Sequence, residues 1–182
     1  RCFAEDLEGV AETVGLLHEA GAAGCSIEDW NGPAGIIDPI EVATERVAAA
    51  SSAADVSGER MLLTARAENL LHGVSDLDDT IARLIAYRDA GADCVYAPGL
   101  STTEQIRTVV DAVAAPVNVL AWPGGPSVPE IGEAGGRRVS TGGSLASTAY
   151  GALMVGAREL LESGTSTYLS TRLQPSDRAT LQ

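Results

Sequence analysis

Three times along the chain the same punctuation recurs. Glu19-Ala20-Gly21 precedes Gly24-Cys25-Ser26-Ile27-Glu28-Asp29, Asp89-Ala90-Gly91 precedes Asp93-Cys94-Val95-Tyr96-Ala97-Pro98, and Glu133-Ala134-Gly135 precedes Arg137-Arg138-Val139-Ser140-Thr141-Gly142. Each time a helical pattern stops at Ala-Gly, and a short apolar run begins two to three residues later. Glycine just past a helix end takes the left-handed conformation that closes the last turn. A short loop into a buried strand then follows. Near-continuous apolar runs fit parallel strands covered on both faces.

The spacing predicts helices over 7–20, 40–55, 77–90, 103–113, 127–134 and 144–163, and strands over 24–28, 60–66, 93–97, 116–120 and 137–141. Leu77, Ile81, Leu84 and Ile85 share one helical face, and Asp76, Asp78 and Asp79 sit at that helix's N-terminal end. Strict alternation of five strands with helices argues for a parallel α/β sheet with right-handed crossovers. An open doubly wound sheet and a closed eight-stranded TIM-type (β/α)8 barrel compete. A barrel takes roughly 250 residues, and this chain has 182. The barrel reading therefore expects three strand–helix units upstream of Arg1. The chain opens on Arg and not Met, and is expected to be processed or a piece of something longer. Residues 1–164 are expected to form the partial barrel. Residues 165–182, polar and carrying Pro175, are expected to form a tail.

Composition removes several chemistries. All twelve Lys+Arg positions are Arg, so Schiff-base catalysis, pyridoxal phosphate and a Walker-type phosphate loop are excluded, since each needs a lysine amine. The net charge of −13 argues against nucleic acid, which needs a basic face. No window approaches the roughly 18 apolar residues of a membrane helix, and no basic-then-apolar export signal opens the sequence. Cys2, Cys25 and Cys94 lack CxxC spacing and read as small hydrophobes in a reduced, cytoplasmic protein. Two histidines, His18 and His72, are too few for a His-rich zinc site.

In parallel α/β sheets, function collects at the carboxyl ends of strands. There the sequence places Glu28-Asp29, Arg66 followed by Glu68 and Asn69, Tyr96, Asn118, Gly124-Gly125 and Gly142-Gly143. Acids and an Arg on neighbouring strand ends suit an anionic substrate with a divalent cation, since carboxylates are hard oxygen ligands and Arg grips carboxylate or phosphate bidentately. Each position also has a plainer reading. Glu28 and Asp29 could cap a loop, and Glu68 could be the structural partner of a buried Arg66. Asn118 could be a satisfied core amide, and Tyr96 a packed aromatic with a wet hydroxyl. The glycines could bind an anion through backbone N–H groups or simply turn the chain. His72 is the one imidazole near strand ends and a candidate acid/base; His18, mid-helix, reads as structural. Cys25, three residues before Glu28, points to the opposite face and reads as inert.

Taken together, Gly24-Cys25-Ser26-Ile27-Glu28-Asp29, Leu63-Thr64-Ala65-Arg66-Ala67-Glu68-Asn69, Gly91-Ala92-Asp93, Pro116-Val117-Asn118-Val119 and Arg138-Val139-Ser140-Thr141-Gly142-Gly143 resemble the isocitrate lyase / phosphoenolpyruvate mutase superfamily, in order, from about residue 4 to residue 165. The similarity is greatest to the bacterial branch labelled phosphonomutase. The resemblance implies a (β/α)8 barrel, Mg²⁺, and a small 2-oxo or 2-hydroxy carboxylate substrate whose C–C or P–C bond is broken or made through an enolate. It implies that Glu28 reaches the metal through water, that Arg66 grips substrate, and that Glu68 stands where the family's Ala-Arg-Thr-Asp-Ala stretch has Asp. Substrate contacts are expected from Arg66, Glu68, Asn118, Gly124 and Gly142, with Arg66 and His72 in catalysis. It also implies a homo-oligomer.

Two departures matter. The family's main metal aspartates belong to a strand that would precede the helix opening here. The lyases' Lys-Lys-Cys-Gly loop is replaced by Trp30-Asn31-Gly32-Pro33-Ala34-Gly35, which speaks against isocitrate and methylisocitrate lyase. The expectation is a Mg²⁺-dependent lyase or mutase-like protein, with little or no activity in these 182 residues alone. The alternative is a non-catalytic module that binds an anionic metabolite or a partner subunit, with another phosphate-binding barrel a third option.

Overall fold

In a computed structural model, residues 1–56 and 58–178 are described. They fall into two compact units, Arg1–Ser140 and Thr141–Gln182. The first opens with α1 (Leu7–Glu19), β1 (Gly24–Glu28), β2 (Trp30–Asn31), β3 (Ile36–Ile37), α2 (Ile40–Ala53), β4 (Asp55–Val56), β5 (Glu59–Arg60) and β6 (Leu62–Arg66). It continues with α3 (Leu77–Asp89), β7 (Cys94–Tyr96), α4 (Thr103–Val113), β8 (Val117–Leu120), α5 (Val128–Glu133) and β9 (Arg138–Ser140). The second holds α6 (Ser144–Ser163), a 3₁₀ turn (Thr167–Thr171) and α7 (Pro175–Arg178).

Local chemistry sets the helix ends. Asp6 accepts from the Gly9 amide and Asp76 from the Asp79 amide, while Thr102 with Gln105 and Ser127 with Glu130 form reciprocal capping boxes. The repeated Ala-Gly stops behave as the spacing predicts: Gly21, Gly91 and Gly135 have φ of 79°, 100° and 97°. At Gly91 the conformation requires glycine, and a Cβ there would also displace Ser51 Oγ, 2.3 Å away.

The five long strands form one parallel sheet in the order β1-β6-β7-β8-β9. This is the expected α/β alternation, consistent with a partial TIM-type barrel. One expectation is corrected. The strands are not apolar on both faces; they alternate. Ile27, Leu63, Ala65, Val95, Val117 and Val119 are buried in the core beneath the helices. Ser26, Glu28, Thr64, Arg66, Tyr96, Asn118, Arg138 and Ser140 occupy the alternate positions and so share the other face. That polar face is concave. Arg138 Nη1 on β9 donates to Thr64 Oγ1 on β6 at 2.6 Å, across three strand spacings of about 4.8 Å each. An arginine spans that interval only over a curved sheet.

Three details were not legible beforehand. Residues 60–66 divide: β5 pairs antiparallel with β4, and the sheet strand begins at Leu62. Asp93 lies outside its strand, where its carboxylate accepts from the Leu63 amide at 2.9 Å and Arg60 Nε at 2.8 Å. Residues 30–37 form a small hairpin instead of plain loop. The expected tail carries the 3₁₀ turn and α7, and its Thr165, Thr167 and Tyr168 donate to the Glu159 carboxylate of α6. Among the described residues no helix is long and apolar enough to cross a membrane.

Candidate active site

Register assembles the site. Glu28 pairs with Arg66, Arg66 with Tyr96, Tyr96 with Asn118, and Asn118 with Arg138. One polar row therefore crosses the sheet, from the last residues of β1, β6 and β7 to Asn118 inside β8 and Arg138 at the start of β9. Arg66 is its centre. Its Nε lies 2.6 Å from Glu68 Oε1, its Nη1 lies 3.3 Å from Glu28 Oε2, and its guanidinium sits 5.1 Å above the Tyr96 ring. Burial opposes the Arg66 charge, but the Glu68 hydrogen bond and the two carboxylates outweigh it and raise its pKa. Glu68 is 1% exposed. Burial pushes its carboxyl up, Arg66 pulls it back only in part, and Glu28 and Asp29 add to the rise. The arginine is thus firmly cationic beside one carboxylate held reluctantly as an anion.

His72 joins this group from the loop before α3. Its Nε2 lies 4.0 Å from Glu68 Oε2, and its ring stacks on Trp30 of the hairpin at 3.5 Å and 11°. Asn118 is 1% exposed. Its Nδ2 donates to Ser140 Oγ at 2.9 Å, while its Oδ1 is buried with no partner. A buried amide oxygen without a donor costs free energy until something supplies one. The Tyr96 hydroxyl, its pKa raised by burial and lowered in part by a hydrogen bond with Ser140, completes the row.

Gly124 has φ 81° inside a turn in which Gly125 N–H donates to Trp122 O at 3.1 Å, so turn geometry alone accounts for it. Gly142 has φ 53° and opens the second unit. Cys25 is pushed up to about 11 by burial and by Cys2, and burial likewise raises Cys94; neither thiol is disposed to ionise. His18 lies in α1, with Nε2 3.1 Å from the Glu59 carbonyl. Among the described residues no three His, Cys, Asp or Glu side chains converge as a metal site. Sequence reasoning missed the interior positions Thr64, Arg138 and Ser140; strict period-two reading of the strands would have found them.

A family profile for phosphoenolpyruvate phosphomutase matches residues 1–161. The chain belongs to the phosphoenolpyruvate phosphomutase family. Solved structures in this family's neighbourhood agree. A Burkholderia cenocepacia protein provisionally assigned as a lyase/mutase is 46% identical with a TM-score of 0.90, over 98% of this chain and 66% of that one. The 2,3-dimethylmalate lyase, a member of the PEP mutase/isocitrate lyase superfamily, is 26% identical with a TM-score of 0.80, over 94% of this chain and 62% of that one. An uncharacterized Mycobacterium tuberculosis protein is 31% identical over 77% of this chain and 51% of its own length. An oxaloacetate decarboxylase of Bradyrhizobium sp. is 33% identical over 71% of this chain and 45% of its own length. The chain spans about half the length of the curated relatives it matches.

Proposed function

We propose that the intact protein acts on a small 2-oxo or 2-hydroxy carboxylate, making or breaking a C–C or P–C bond next to a carbonyl through an enolate. The observation that carries this is the register pair Glu28–Arg66 at the strand ends of a phosphomutase-family sheet, with the orphaned Asn118 oxygen in the same row. Relatives named for oxaloacetate and dimethylmalate chemistry handle substrates of this class.

Arg66 grips the substrate carboxylate with the N–H groups that its carboxylate neighbours leave over, and its fixed charge lowers the barrier as negative charge grows on the enolate oxygen. The Asn118 oxygen accepts from a substrate hydroxyl or from a water that accompanies it. His72, beside Glu68, moves a proton at the reacting carbon or its leaving group. Glu28 orients water at the rim.

Mg²⁺ is implied by the family. A Mg²⁺ ion held in the usual way takes one or two carboxylates with waters and substrate oxygens. Glu28 alone faces that role here and is engaged by Arg66. The described donors do not make a complete site. We further propose that β1 and β9, each paired on one side only among the described residues, belong to a closed eight-stranded barrel whose other three strands lie outside residues 1–182. We place the protein in the cytoplasm, in keeping with three unpaired cysteines.

The test is binding before turnover. Oxalate, an enolate mimic, should raise the thermal midpoint of the chain with and without Mg²⁺, the rise growing with the logarithm of its concentration above the dissociation constant, and Arg66→Ala should abolish the rise. A flat response from a folded chain would instead support the non-catalytic module, a reading favoured by the two carboxylates that already neutralise Arg66.

A further inference from the structure

Asp29 follows Glu28, so its side chain leaves the polar face and turns toward α3. It is 2% exposed. A carboxylate so buried is tolerated only when its oxygens are fully partnered, and here they are. Oδ1 accepts from the Glu68 backbone N–H at 2.9 Å. Oδ2 accepts from the Tyr87 hydroxyl at 2.6 Å and from Arg83 Nη1 at 3.1 Å. Arg83 is itself anchored, donating from Nη1 to the Asp38 carbonyl at 2.8 Å and from Nε to Asp79 Oδ2 at 2.7 Å. The backbone of Asp29 closes the base of the hairpin, its carbonyl accepting from the Asp38 amide at 2.8 Å. Through its carboxylate and its backbone, Asp29 thus ties the end of β1 to the base of the hairpin, the loop after β6 and helix α3.

The Glu68 amide is fixed from beneath by Asp29, and the Glu68 carboxylate in turn fixes Arg66 at 2.6 Å. We propose that Asp29 is a positioning residue for Arg66, acting through Glu68 and supported by Arg83 and Tyr87. The proposal deepens the assignment of Arg66 as the anion-gripping group and rests on it. Without Asp29 the Glu68 amide loses its buried acceptor, the loop shifts, and the Glu68 carboxylate no longer restrains the guanidinium. A simple ion pair between sheet and helix would stabilise the layer but would leave Arg66 as it was.

Phenylglyoxal labelling separates the two roles. The rate at Arg66 is read by peptide mass spectrometry against the exposed Arg107 of α4. Asp29→Asn keeps the size but sets an amide NH₂ against the Tyr87 and Arg83 donors, so the side chain cannot serve them and the Glu68 amide together and its hold on that amide is weakened. It should raise the Arg66/Arg107 rate ratio about fivefold, the equivalent of one hydrogen bond. Tyr87→Phe should raise it about twofold to fivefold while keeping the ring's packing. Val113→Ala, a core truncation in α4, should lower stability and leave the ratio unchanged. An unchanged ratio in both Asp29→Asn and Tyr87→Phe, or an equal rise in Val113→Ala, overturns the proposal. If Asp29→Asn does not fold, Tyr87→Phe decides alone. Oxalate should also protect Arg66 in the unmodified chain. Failure of that protection with a changed ratio removes the substrate-binding assignment and keeps the positioning one.

Discussion

At Arg66 two carboxylates compete for one guanidinium, and only one of them is fully buried. Glu68 is 2% exposed in its side chain and Glu28 35%. Removing the cation leaves the buried acid without compensation. Arg66→Ala should therefore cost about 1.5–3 kcal/mol in denaturant unfolding, the range for a hydrogen bond to a charged group. The cost should also depend on pH. The folded-state pKa of Glu68 lies above its ordinary value through burial, so folding favours the protonated form, and this contribution fades as pH rises through that value. The penalty of Arg66→Ala should be larger at pH 8 than at pH 5. Equal penalties would show that Glu68 does not feel the loss. Asp79 runs the other way. The Arg83 hydrogen bond holds its carboxyl below the usual range, so its contribution is present above the ordinary aspartate value and vanishes as pH falls through the depressed one. Asp79→Asn should flatten the stability loss seen on acidification below pH 4.

The elements are held by one apolar layer between sheet and helices. Leu63 of β6 and Ile106 of α4 are fully buried within it. Truncating either to Ala should cost about 2–5 kcal/mol, from lost transfer energy and the residual cavity. Thr102 belongs to a capping box rather than to the core. Thr102→Ala should cost only about 1 kcal/mol, and urea midpoints for the three variants should rank accordingly. Most helix boundaries were legible because caps and Ala-Gly stops are local; α2, which has no side-chain cap, ends at Ala53, short of the expected residue 55. The divided segment at residues 55–62 and the hairpin at 30–37 were not. Their strands are two residues long, too short for a periodic pattern, and they exist through pairing. The strand faces were misjudged because Thr64 and Asn118 sit between apolar neighbours, so that each run reads as apolar unless every second position is separated.

For the whole molecule, two sheet edges lack a second neighbour among the described residues. In the second unit, Leu145, Tyr150, Leu153, Val155 and Leu161 of α6 are exposed. Unpaired edges and apolar helical surface both favour association. We propose that the intact protein is a homo-oligomer. The 182-residue chain should sediment with a mass that rises with concentration at moderate salt, and should show little or no turnover of oxaloacetate. A concentration-independent monomer would remove the association argument.

The sequence by itself determined the alternation of strands and helices, most helix ends and the placing of Glu28 and Arg66 at strand ends, because caps, periodicity and strand-end position act over a few residues. Only the tertiary structure decided which side chains meet across the sheet. The placement of Arg138 on Thr64, of Trp30 on His72, and of Asp29 beneath Glu68 depends on curvature and register. Those arise from packing between segments tens of residues apart, and no local pattern encodes them.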